Sequence, residues 1–303
     1  MQVEFVDLRV FVAVADGGSL TAGAERVALS LAAVSARIRA LELQIGARLF
    51  ERGRRGVSLT AAGQVLLRHA RVVTRQVEAL RSELGRDGLG GRVMLRLAAN
   101  TAALSEWLPE CLADFLRAHP NIDLAVTEQG SEEAADAVRE ERADLAVVAD
   151  HADLTGLQAV PFRQDRLVLI VAHDHPLAAA GAVALADIAG LQMLGLSADN
   201  ALQRHLRRQL ARSGVQLRLR ARVHGIEALC RMVARGAGAA IIPQAALARS
   251  AVRPQLVALT LHERWARRQL SIVVSAAQPL SPPLRALRDW LQAEASQAAP
   301  HQH

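Results

Sequence analysis

The chain contains no lysine; all 36 of its basic residues are arginine. A GxxxxGK[ST] phosphate loop is therefore excluded, because the lysine that reaches the terminal phosphates is missing. Cysteine is almost as scarce. Cys111 and Cys230 stand far apart and offer neither a disulfide framework nor a metal-ligand spacing. Long apolar runs are lacking too. The longest stretch free of Asp, Glu, Lys and Arg is 269–284, and Pro279, Pro282 and Pro283 break it. A membrane helix needs about 20 apolar residues, so no membrane partner is expected. Glu4, Asp7 and Arg9 interrupt the first apolar residues, where a signal peptide needs an unbroken run. The expectation is a cytoplasmic protein. Composition excludes wholesale disorder: the chain is 51% hydrophobic and 22% charged, and its 303 residues suit about two domains.

Catalytic constellations are missing as well. Gly236-Ala-Gly238 begins like a dinucleotide fingerprint, but Ile241 stands where the third glycine belongs, and the run leads into a strand. Gly195-Leu-Ser197-Ala-Asp199 lacks the final glycine of a nucleophile elbow. His173-Asp174-His175 does not share a helical face, and Pro176 predicts a turn. Cys230 lies on the apolar stripe of a predicted helix with Ile226 and Val233, as a buried inert thiol does. No cofactor, metal or catalytic residue is expected, and the chain is not read as an enzyme.

What is present is a basic N-terminal third. The chain carries a net charge of +6, and within 30–75 nine arginines oppose Glu42 and Glu51 alone. Such a patch suits a polyanion, with nucleic acid as the default; a solvated face in an arginine-biased chain suits the charge count equally. Phe5, Leu8, Val12 and Ala15 recur at helical spacing, and Gly17-Gly18 ends that helix. Ser19 is placed to cap a short second helix over 20–27. A third begins near Ser30, carries Val34, Ile38, Leu41 and Ile45, and closes at Gly46. Two short runs then flank Gly53-Arg54-Arg55-Gly56, a hairpin signature. Two short helices, a tight turn and a basic hairpin form a winged helix-turn-helix pattern. A reading helix needs small or polar residues on its outer face to enter the major groove. Here that face holds Ser30, Leu31, Ala32 and Ser35, with Arg37 and Arg39 in reach of phosphates. Arg54 and Arg55 sit at the hairpin tip.

The runs Phe11-Val-Ala-Val-Ala-Asp16-Gly-Gly-Ser19-Leu-Thr21-Ala-Gly-Ala-Glu25-Arg-Val, Ser30-Leu-Ala-Ala-Val-Ser35-Ala-Arg-Ile-Arg-Ala-Leu-Glu42, Leu49-Phe50-Glu-Arg52 and Leu59-Thr60-Ala-Ala-Gly63 stand in this order within the first 63 residues. Together they resemble the N-terminal domain of LysR-type transcriptional regulators. The resemblance implies a recognition helix over 30–42, binding to interrupted promoter dyads, dimers of dimers and a small co-inducer. RNA polymerase is implied as a partner if the protein activates. Leu31 and Ala32 depart from the family, which has a polar residue, often Gln, and then Pro or Ser at these positions. Two hydrogen-bonding side chains are thus absent from the reading face, although thymine methyl contacts remain open to Leu31 and Ala32.

Leu66, Ala70, Val73, Val77, Leu80 and Leu84 are spaced four, three, four, three and four. This is a heptad seam, or equally the stripe of a helix packed on its own domain. The resemblance assigns the position to a dimerising linker helix, with the glycine-rich 85–91 as a hinge.

From 92 onward, strand-like and helix-like runs alternate, which predicts an α/β fold with largely parallel sheets. It resembles the periplasmic-binding-protein-like effector domain of LysR-type regulators. The expected organisation is 1–59 for the winged helix-turn-helix, 60–91 for the linker, and 92–303 for an effector domain. The last divides into one subdomain over about 92–161 plus 268–296 and another over about 162–267. A ligand is expected between them at strand ends and helix starts. The candidates are Asn100, Thr101, Gln129, Ser197, Asn200, His224, Ile226 and Pro243. Asn100, Thr101 and Asn200 suit plain helix caps equally well. Helix-start N–H groups favour an anion, so a small anionic metabolite is the expected effector.

Overall fold

The computed structural model describes residues 3–53, 56–84, 92–277 and 279–297. They fall into two units, Met1–Val93 and Met94–His303.

The first unit comprises α1 (Phe5–Gly17), α2 (Leu20–Val27), α3 (Leu31–Ile45), a hairpin of β1 (Phe50–Gly53) and β2 (Gly56–Leu59), and α4 (Ala61–Leu84). Val10, Phe11, Val14, Val34, Ile38, Leu41 and Leu49 form its core; the α3 stripe is the one read above, whereas on α1 Val10, Phe11 and Val14 are buried and Phe5, Leu8, Val12 and Ala15 are only half-buried. Local chemistry sets the breaks. Ser19 Oγ accepts the N–H of Ala22 at 3.1 Å, and Ser30 Oγ that of Ala33 at 3.2 Å, so both serines cap helices. Between them the chain reverses through Ala28, which takes the left-handed region at φ 54°. Gly23 lets α2 approach α1 at backbone distance; a Cβ there would lie 2.8 Å from Val14 Cα. Glu42 then fixes where the wing starts: its Oε1 accepts the N–H groups of Leu49 at 2.8 Å and Phe50 at 3.3 Å.

The second unit opens with β3 (Val93–Ala99), α5 (Thr101–Glu106), α6 (Leu108–Ala118), β4 (Ile122–Glu128), α7 (Ser131–Arg139) and β5 (Leu145–Ala149). The long β6 (Leu157–Ala172) follows, then β7 (Ala182–Val183), α8 (Leu185–Ile188), β8 (Met193–Leu196), α9 (Ala201–Arg212), β9 (Leu219–Val223) and α10 (Ile226–Ala234). It closes with β10 (Ala240–Pro243), α11 (Gln244–Arg249), β11 (Leu256–Leu261), β12 (Arg267–Ser275) and α12 (Pro282–Gln297). The main sheet runs β4-β3-β5-β12-β6-β11-β7, with β10 also on β6. β6 pairs with β12 from Leu157 to Arg166, and with β10 and β11 from Leu167 onward. One strand thus crosses from a first lobe to a second. The second lobe has its own core, including Leu169, Ile188, Leu196, Leu229, Ile242 and Leu259.

The sheets are mixed, not largely parallel as the alternation suggested. β3 and β5 are parallel, as are β8 and β9, but β12 is antiparallel to both β5 and β6, and β10 and β11 oppose β6. The cause is the pair of strands that joins the lobes: β12 returns along β6 in the opposite sense, so its neighbours meet it antiparallel. Residues 166–171 form the second half of β6. Gly238 is a packing glycine, since a Cβ there would meet the Gln192 carbonyl at 2.4 Å.

Candidate functional site

On the first unit, α3 offers an open face. Ser30, at the N-cap, Ala32 and Arg39 are exposed, Ser35 is half-buried, and Leu31 is 49% exposed. Val34, Ile38 and Leu41, on the opposite side, are in the core. Helical spacing thus separates a packed face from a free one. Arg37 differs from its neighbours. Its Nη1 donates to Asp7 Oδ1 at 2.6 Å and lies 3.8 Å from Glu4, so it ties α3 to α1. Arg54 and Arg55 lie outside the described residues.

The α4 seam splits in two. Leu66, Leu67 and Ala70 pack on their own core, and the buried Arg71 pairs with Asp16 at the end of α1. Beyond that point Val73 is 42% exposed and Leu80 53%, with Val77 half-buried between them. The Leu84 side chain lies outside the described residues.

Between the two lobes is a cavity of about 380 Å³. Thr101, Ser197, Asn200, His224 and Ile226 all line it, as the strand-end reasoning expected. Glu128, Ser105 and Asp199 line it too and were not anticipated. Glu128, at the end of β4, is the central group. Its Oε1 accepts the Thr101 hydroxyl at 2.5 Å and the Asn200 amide at 2.8 Å, joining the lobes. Hydrogen bonding from Ser197 holds the Asp199 carboxyl below the usual carboxylate range. Two carboxylates therefore occupy the space in which an anionic effector was expected, and the helix-start argument loses its electrostatic basis there. The remaining candidates sit elsewhere. Asn100 is buried, caps α5 through Ala103 N at 2.9 Å and faces Ser131. Gln129 lies in the turn after β4, bonded through its N–H to the Ala99 carbonyl at 2.9 Å. Pro243 ends β10 against Leu167.

Further contacts close the lobes on one another. Arg204 and Arg208 of α9 pair with Glu133 at 2.5 Å and Glu132 at 3.3 Å, while Arg249 of α11 reaches Glu110 at 2.5 Å. Deeper in, His151 and His205 face each other with ring centroids 4.5 Å apart. Burial, then the charges around it, drives the His205 pKa down to about 3 and lowers that of His151, so both rings are neutral. Beside them Arg268 and Asp165 make a buried ion pair across the β12–β6 ladder. Cys111 and Cys230 are buried, and burial raises both thiols. His175, one of the pair dismissed as metal ligands, caps the turn at Pro176–Ala179 by accepting the Leu177 N–H at 3.2 Å.

Comparison with known proteins accords with this anatomy. A family model for the bacterial regulatory helix-turn-helix protein, lysR family, matches residues 5–64, and one for the LysR substrate binding domain matches 88–296. The chain is 28% identical over 284 residues to a probable nitrogen assimilation transcriptional activator of Synechococcus elongatus, covering 93% of this chain and 92% of that protein. It is 30% identical over 256 residues to a probable hydrogen peroxide-inducible genes activator of Mycobacterium avium, covering 84% and 82%. Its fold is shared with full-length OxyR from Pseudomonas aeruginosa, at a TM-score of 0.69 and 20% identity over 97% of this chain and 98% of that one. It is shared also with full-length CbnR in complex with its target DNA, at 0.59 and 21% over 97% and 100%. The chain belongs to the LysR family of bacterial transcriptional regulators.

Proposed function

We propose that this regulator grips interrupted promoter dyads with α3 and alters that grip when a small molecule enters the cavity between its lobes. The observation that carries the reading is the free face of α3: Ser30, Leu31, Ala32, Ser35 and Arg39 lie opposite the packed Val34–Ile38–Leu41 side. Leu31 and Ala32 offer apolar contact to thymine methyls, Ser35 a hydrogen bond to a base edge, and Arg39 a phosphate contact. Arg54 and Arg55 of the wing are assigned to the backbone or minor groove by the hairpin signature. Arg37 serves the fold through Asp7.

Two chains pair along the second half of α4, at Val73, Val77, Leu80 and Leu84. Effector domains then join dimers into tetramers in the cytoplasm, and RNA polymerase is a partner if the protein activates. The effector presents a donor or a cation to Glu128 and Asp199, with Thr101, Ser197, Asn200 and His224 around it. The signal is read as a ligand and not as an oxidant, because neither buried thiol has the thiolate character a peroxide sensor needs. The test is electrophoretic mobility shift of the full chain on its own upstream region against salt. Arg39→Gln lowers the log–log salt slope by about one, whereas Ser35→Ala leaves the slope and shifts base preference. An unchanged slope and preference in both would remove α3 from the interface. Thr101→Val and Ser197→Ala weaken the effector response; a response equal to the parent's in both would remove the cavity.

A further inference from the structure

The second lobe holds a larger cavity, of about 550 Å³, on the far side of α9 from the first lobe. We propose that it is a binding site for an amphipathic carboxylate, an apolar body with one anionic head. Its volume is within the roughly 300–1,000 Å³ typical of small-molecule sites. Met193, Leu194, Leu206, Leu210, Leu217 and Leu219 give it apolar walls. Arg207 and Arg222, both exposed, stand in its lining, and no Asp or Glu does. Among the described residues neither arginine has a carboxylate partner, in a protein whose other cleft arginines are paired. Apolar walls with two uncommitted guanidinium groups match a hydrocarbon chain ending in a carboxylate.

Helix geometry gives the site a consequence. Gln203, Leu206, Arg207, Leu210 and Ala211 recur at i, i+3, i+4, i+7 and i+8 and face the cavity. Asn200 caps the same helix, and Arg204, His205 and Arg208 fall outside that face; they make the contacts to Glu128, Glu133, His151 and Glu132. A ligand that moves α9 therefore acts on the residues that close the lobes, to the extent of its differential affinity for the closed and open states. The site does not depend on the effector assignment above, since the two cavities share no Glu128, Asp199 or Thr101.

The experiment is calorimetric titration of the full chain with decanoate, below its micellar concentration, and with decyltrimethylammonium. Decanoate binds saturably at one site per chain, and the cationic analogue does not. R207Q/R222Q weakens decanoate by about tenfold or more. Ala211→Trp, at an exposed position and filling the cavity, abolishes binding. Non-saturating uptake, or equal binding to the parent and both variants, overturns the site. A change of oligomeric state in Ala211→Trp without any decanoate binding also overturns it, because a second copy of the chain would then cover this face. Loss of the response in Thr101→Val with decanoate binding intact separates this site from the cleft.

Discussion

The two units are held together by different kinds of contact. In the first, α1 and α2 touch at backbone distance through Gly23, serines cap two helices, and Glu42 pins the wing. These are short-range and steric, and they allow one arrangement. In the second, the two lobes share β6 and β12 and meet through solvated ion pairs at Glu132, Glu133 and Glu110 as well as the buried His151–His205 contact. Exposed pairs are worth about 0–1 kcal/mol each. A few of them hold a closed state without making it permanent.

Four perturbations probe this contrast. The largest effect is expected at the α4 seam. Val73→Asp with Val77→Asp places unpaired carboxylates in the proposed dimer interface at a cost of several kcal/mol. Sedimentation then shows smaller species, and an unchanged oligomer would place the interface elsewhere. Next, Gly23→Ala forces α2 off α1 and destabilises the first unit by about 1–3 kcal/mol. Urea unfolding of the full chain moves the transition of the first unit and leaves that of the second.

His205→Gln acts through pH. The neutral ring of the folded state has its pKa near 3, while the unfolded chain takes up a proton below about 6.5. Stability is therefore lost as pH falls from 6.5 toward 3, by up to about 1.4 kcal/mol per pH unit. Glu106, raised to about 7 by burial, has the opposite sign between 4.5 and 7 and flattens the parent curve. The difference between parent and His205→Gln isolates the histidine: the variant gains relative to the parent as pH drops below 6.5. A pH-independent difference would mean that His205 is not neutral when folded. The smallest effect belongs to Glu133→Gln, about 0–1 kcal/mol in stability, read more clearly as a more open second unit by small-angle scattering.

Legibility in the sequence followed the same division. Caps, turn and helical stripes of the first unit are local signals, so Ser19, Ser30 and the Val34–Ile38–Leu41 face could be read directly. The engagement of Arg37 by Asp7 could not, because it spans two helices. In the second unit, strand ends and helix starts point to Thr101, Ser197, Asn200 and His224, and these four line one cavity. Glu128 was missed because it lies at a strand end with no cap or motif to mark it, and its role comes from partners far along the chain. With Asp199 it adds negative charge to a cleft whose helix starts alone suggested an anion site. β6 carries no single pattern to read, because it serves two lobes: burial alternates irregularly in its first half and is nearly continuous in its second.

The most direct measurement is selection of bound sequences from random duplexes by the full chain, in parallel with Ser35→Ala and Leu31→Ala. The parent should enrich an interrupted dyad. Both variants should keep the half-site spacing, which dimer geometry sets, and change base identity within each half-site. An enriched parent sequence without dyad symmetry, or identical base preferences in all three proteins, would contradict recognition through the free face of α3.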